Sequence, residues 1–97
     1  MQFEKNELID KLFEAVLKLK TTEECYAFFN DLCTVVEIEA MSIRLEAAKK
    51  LLEGRTYEEI QNTVNISSAT LSRVSKALQY GKDGYKMIIQ RVSRKNF

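Results

Sequence analysis

Apolar residues recur along this chain at helical spacing. Leu8, Ile9, Leu12, Phe13, Val16 and Leu19 fall three or four positions apart, and Asn6 stands ready as a cap, which predicts a helix over 7–20 with a broad apolar face. Cys25, Phe28, Phe29, Leu32 and Cys33 form a second such stripe. Residues 35–39 (VVEIE) alternate like a strand, but no other segment offers a partner strand and a longer helical pattern follows, so they are read as helix. Ile38, Met41, Leu45, Ala48 and Leu52 keep a 3, 4, 3, 4 rhythm, the seam of a helix lying along another. A long helix over about 35–53 follows, with Gly54 ending it in the left-handed conformation. The stripe on that helix reads either as ordinary core or as a dimer seam.

Three Thr-x-x-Glu patterns punctuate these stripes, at Thr21–Glu24, Thr34–Glu37 and Thr56–Glu59. Each is a candidate capping box, in which the Thr oxygen accepts a first-turn amide and the Glu reaches back to the cap residue's amide. After the third box come two short helices joined by a break. Counted from Tyr57, apolar residues occupy the fourth, eighth, tenth, fifteenth and eighteenth positions (Ile60, Val64, Ile66, Leu71, Val74), the pattern of a helix-turn-helix. Asn65 tolerates left-handed angles and stands where such a corner often has glycine. The fifth position, where close approach favours Ala, holds Gln61 instead. Gly81 and Gly84 bound a charged loop, Tyr85–Val92 predicts a last helix, and 93–97 (SRKNF) reads as a loose end.

Length and composition narrow the class. Ninety-seven residues make one core, so 1–97 reads as a single domain: a helical region over 1–54, the helix-turn-helix over 56–80 and a C-terminal helix over 85–92. Proline is absent, glycine occurs three times, and 45% of residues are hydrophobic, giving an all-α fold of about six helices. No apolar run approaches the roughly 20 residues of a membrane span, and MQFEKNELID lacks the pattern of a secretion signal. A cytoplasmic location without a membrane partner is expected. Cys25 and Cys33 are not in metal-binding spacing, and with no His in the chain neither a metal site nor the commonest general base is available. Both cysteines read as buried helical thiols, and an enzyme is not expected.

Charge adds the first functional signal. Residues 1–64 carry 8 Lys/Arg against 13 Asp/Glu, a net −5, whereas residues 65–97 carry 7 against 1, a net +6. A basic end points to a polyanionic partner. Within it, Ser67 or Ser68 caps the second motif helix, placing Ser68, Ala69, Thr70, Ser72 and Arg73 around its first turns. A recognition helix enters the major groove by its N-terminal end, so residues there must be small yet able to bond base edges or phosphates. Ser67, Ser68, Ala69, Thr70, Ser72, Arg73, Lys76 and Lys82 are therefore the candidate DNA-binding residues, with Lys86 near the duplex backbone. Glu58 runs against this expectation, because the first motif helix commonly crosses phosphates.

The stretches EAMSIRLEAAKKLLEG and TYEEIQNTVNISSATLSRVSKAL resemble the long helix and DNA-binding region of the Trp repressor superfamily, and the whole chain is most similar to its YerC/YecD-like branch. The resemblance implies an intertwined all-α homodimer presenting two motifs to successive major grooves of a palindromic operator. It also implies a ligand pocket at Arg44, Arg73, Val74 and Ala77, the two arginines matching those that sandwich tryptophan in the family. Val74 stands where the Trp repressor has glycine, and Ala77 where it has the serine that bonds the ligand's amino group. Tryptophan is accordingly not the expected corepressor, which leaves room for a smaller or differently shaped ligand of unknown identity; no cofactor is expected. Arg44 and Arg73 have a structural alternative in pairing with Glu39, Glu46 or phosphate. The expected function is a sequence-specific double-stranded DNA-binding regulator, most simply a repressor; the alternative is a helical interaction module whose basic end binds a protein or RNA.

Overall fold

The computed structural model describes residues 3–93. Among these residues the chain forms six helices and no strand: α1 (Glu7–Val16), α2 (Thr22–Leu32), α3 (Val35–Leu52), α4 (Tyr57–Thr63), α5 (Ser68–Tyr80) and α6 (Gly84–Ser93). The strand-like alternation at 35–39 is the start of α3, as the missing partner strand required. The chain divides into two compact units between Val35 and Val36.

The first unit holds α1 and α2. Asn6 caps α1 by accepting the Ile9 amide at 2.9 Å. The helix ends at Val16, short of the expected Lys20, because the chain tightens: the Lys18 and Leu19 amides reach the carbonyls of Ala15 and Val16, three residues back, at 3.1 Å each. Lys20 then gives its amide to the Glu24 carboxylate at 2.8 Å. Thr21 caps α2 by accepting the Glu24 amide at 3.0 Å, so the first expected capping box closes on one side only. Neither α1 nor α2 contains a buried residue. Leu8 and Leu17 are 78% and 81% exposed. Cys25 and Cys33 are half-buried free thiols rather than buried ones, and Cys33 lies just past the end of α2.

The second unit is built on α3. Its two buried residues, Ala47 and Ala48, are consecutive and therefore point about 100° apart around the axis. Ala47 packs with Ile60, Ile66 and Leu71, supported by Ile43, Leu51 and Val64. Ala48 packs with Val74 and Ile89, supported by Leu45, Leu51, Leu78 and Tyr85. Of the expected seam, Ala48 is core and the half-buried Leu45 packs against its cluster, while Ile38, Met41 and Leu52 remain exposed. Gly54 closes α3 at φ 85°, with its own amide on the Leu51 carbonyl at 3.0 Å and the Arg55 amide on that of Lys50 at 3.1 Å. This is the paired closure that a left-handed residue makes at a helix end.

The corner between α4 and α5 differs from expectation in one respect. Asn65 does not adopt positive φ; among the described non-glycine residues only Asp83 does, at 61°. Val64 instead leaves α4 extended (φ −132°, ψ 133°), and the buried Ile66 anchors the turn, so no left-handed residue is needed there. After α5, Gly81 donates its amide to Ala77 at 3.0 Å, and a Cβ on it would collide with that carbonyl. The last helix runs one residue past each end of the expected 85–92. Of the loose end expected at 93–97, Ser93 closes α6 and the remainder lies outside the described residues.

Leu71 is fully buried between α3 and α4, so truncating it removes contacts from both. Leu71→Ala is expected to lower the unfolding free energy by about 2–5 kcal/mol, measured as a shift in urea midpoint at unchanged slope.

Candidate nucleic-acid interface

The site starts at the N-terminus of α4. Thr56 accepts the Glu59 amide at 3.2 Å and Glu59 accepts the Thr56 amide at 2.9 Å, so this capping box is complete. Those Thr56 backbone and side-chain hydrogen bonds, aided by the Arg55 charge, hold the Glu59 carboxyl below the ordinary glutamate range. Arg55 lies 3.8 Å from Glu59 and 3.9 Å from Glu53, so its cation is engaged by carboxylates on both sides. Glu58 is exposed and adds a negative charge to the outer surface of α4.

All five apolar motif positions point inward: Ile60, Ile66, Leu71 and Val74 are buried and Val64 is half-buried. Two helices meeting at a tight corner need this arrangement. Ser67 is the cap of α5, accepting the Thr70 amide at 3.1 Å while its hydroxyl donates to Thr70 Oγ1 at 3.0 Å. Ser68 and Ala69 follow as exposed residues, whereas Thr70 and Ser72 are half-buried. Arg73 and Lys76 are exposed along α5, and Lys82 is exposed in the loop after it. Seven of the eight residues expected at a DNA surface thus belong to α5 or its cap. The first turn of α5 carries no acidic residue.

By sequence alone Gln61 is an ill-fitting residue at a close-packed position. In the structure its amide nitrogen donates to Ser68 Oγ at 3.0 Å and to the Ile66 carbonyl at 3.4 Å, bridging α4, the turn and the first residue of α5. A polar side chain at the fifth motif position was the available signal. Reading it required knowing which polar groups the turn brings within reach.

The four expected pocket residues divide. Val74, only 2% exposed, packs against Ala48 and Ile89, so it occupies interior volume with an apolar side chain. Arg44 and Ala77 are half-buried and Arg73 is exposed. Pairing of Arg44 with Glu46 does not form, since Glu46 faces Lys50 at 3.5 Å, one turn along α3. An open depression elsewhere in this unit is lined by Leu52, Lys86, Ile89, Gln90 and Ser93 and includes none of the four. Among the described residues no three acidic or thiol side chains gather as a metal site would require. Nor is any described helix long and apolar enough to cross a membrane.

Comparison with known proteins places this arrangement among relatives. A family profile described as Trp repressor protein matches residues 7–93. The uncharacterised protein YerC of Bacillus subtilis (strain 168) is 50% identical over 84 residues, covering 87% of this chain and 81% of YerC. Among solved structures, a candidate Trp repressor from Staphylococcus aureus superposes with a TM-score of 0.89 at 47% identity, over 92% of this chain and 89% of that one. A TrpR-like protein from Eubacterium eligens ATCC 27750 gives the same TM-score at 45% identity, over 92% of each chain.

The Thr56–Glu59 box has a pH signature. Because the folded state lowers the Glu59 pKa, its contribution is complete above the ordinary glutamate range and is lost as pH falls through the lowered value. The Thr56 amide proton in an NMR titration is expected to move in that acidic window. Glu59→Gln keeps an acceptor for the same amide, so the movement should disappear while α4 remains capped.

Proposed function

This chain belongs to the Trp repressor family, and from that premise we propose that it is a sequence-specific double-stranded DNA-binding transcriptional regulator, acting as a homodimer and repressing by occupying its operator. The observation that carries the reading is the start of α5, a capped helix end built from Ser67, Ser68, Ala69 and Thr70. Its small side chains let the backbone approach base edges, and its hydroxyls supply hydrogen bonds there. Arg73, Lys76 and Lys82 lie on or beyond the same helix and supply positive charge for flanking phosphates.

The homodimer is supported by what the first unit leaves uncovered. Two helices with no buried side chain, followed by Val35 and Val36 at 71% and 74% exposure, carry more apolar surface than a monomer keeps in water. A second copy is the cover that the family resemblance implies, and it would bring a second α4–α5 motif to a two-fold operator.

Tryptophan is not the corepressor in this reading. Val74 fills the interior beside Ala48 and Ile89 where the family's glycine leaves room for a flat ring. Ala77 offers no hydroxyl to the ligand's ammonium, whose lost hydrogen bond costs about 1–3 kcal/mol. Isothermal calorimetry with tryptophan is expected to show no saturable heat at micromolar concentration, and saturable binding there would overturn this part of the reading.

Selecting bound fragments from a random duplex pool, against excess competitor DNA, tests the function directly. A regulator enriches one sequence and loses affinity steeply with salt, at a log–log slope of about −0.9 per phosphate contacted. A helical protein-binding module would enrich nothing and show no such slope. On an enriched duplex, Lys76→Glu is expected to weaken binding to all sequences alike and flatten the salt slope by about one.

A further inference from the structure

Resting on the DNA-binding reading above, we propose that Gln61 is a positioning residue for sequence recognition: it holds the Ser68 hydroxyl so that its proton faces outward, making Ser68 a hydrogen-bond donor to acceptor-bearing base edges. The orientation of the Gln61 amide follows from its two partners. The Ile66 carbonyl, 3.4 Å away, can only accept, so the amide edge facing the turn is the nitrogen. That nitrogen reaches Ser68 Oγ at 3.0 Å, and because it only donates, Ser68 Oγ is the acceptor in the contact. The Ser68 proton is then left for a partner outside the corner.

Thr70 repeats the pattern one turn on. Its Oγ1 accepts the Ser67 hydroxyl at 3.0 Å, which again leaves a proton to donate. The start of α5 therefore presents two hydroxyls of one polarity. In the major groove guanine N7 and O6, adenine N7 and thymine O4 accept, whereas the cytosine edge presents an amino donor. A helix start biased to donate favours purine and thymine edges at the bases it meets and disfavours cytosine. Gln61 lies on α4 and is exposed, so its bond to Ser68 contributes little to folding in water. Its consequence falls on geometry and polarity, which folding stability does not report.

The test compares the wild type with Gln61→Met, Gln61→Glu, Ser68→Ala and the Gln61→Met/Ser68→Ala double variant. Each is titrated with the wild type's selected duplex and with a scrambled duplex of equal length at one salt concentration. The readout is the ratio of the two affinities, which cancels the uniform repulsion that a new carboxylate adds. Gln61→Met and Gln61→Glu are expected to lower that ratio about five- to tenfold, the size of one hydrogen bond, at nearly unchanged melting temperature. Gln61→Met should have no further effect once Ser68 is alanine, because the residue acts through that hydroxyl. An unchanged ratio in Gln61→Met, or an equal loss with and without Ser68, would overturn the proposal while leaving DNA binding intact. A wild type that selects no duplex would instead remove the DNA reading, and this inference with it.

Discussion

The second unit depends on two methyl groups. Ala47 and Ala48, both fully buried, sit side by side on α3 and direct its surface into two separate clusters. Because neither carries more than a Cβ, the partner helices approach the α3 backbone closely, and any larger side chain would force them outward. One cluster fixes the α4–α5 corner through Ile60, Ile66 and Leu71; the other fixes the α5–α6 pair through Val74 and Ile89. Leu51 is shared by both. Of the helices packed on α3, α5 is the one that places a buried side chain in each, so its position and rotation are set by two contacts three residues apart.

That double seating bears on how the proposed regulator is controlled. A recognition helix held at one point can swing until a ligand fills the space beneath it. Here Val74 is packed against Ala48 and Ile89, with Leu78 and Tyr85 against the same cluster. The orientation of α5 then belongs to the folded state itself. In such a protein, occupancy of an operator follows protein concentration and dimerisation more directly than the supply of a small molecule. Gln61 extends the same logic to the start of the helix, where it adds a polar tie between α4 and Ser68 on top of the apolar packing.

How much of this was legible in the sequence varied with the range of the interaction. The helix-turn-helix positions, the Thr56–Glu59 box and the Gly54 closure all depend on residues within a few turns of one another, and all three appear where the spacing placed them. Helix α1 ends before Lys20 although Leu19 continues the apolar rhythm, because the backbone bonds at Lys18 and Leu19 already commit the chain to a turn. Asn65 tolerates a left-handed conformation that the corner does not need, since extended Val64 and buried Ile66 make the turn. Gln61 was visible as an exception and nothing more. The apolar stripes of α1 and α2 were recognised as faces that must be covered, and periodicity carries no information on what covers them.

Charge placement constrains the interface further. In α4, Glu59 is committed to its cap and Glu58 is exposed, while Arg55 just before the helix is shared between Glu53 and Glu59. The first motif helix therefore brings no free cation to a phosphate backbone. In the proposed function, attraction to a duplex comes, among the described residues, from Arg73, Lys76 and Lys82, with Arg91 on α6, all exposed and distributed over the C-terminal third. Lys86 joins them at reduced strength, because Asp83 lies 3.8 Å from its ammonium. In that reading, hydroxyl-mediated base contacts and two motifs held at a fixed separation add to the phosphate contacts. Under the proposed function, a first motif helix without a cation makes sequence recognition depend on the donor geometry of α5 and on a second copy together.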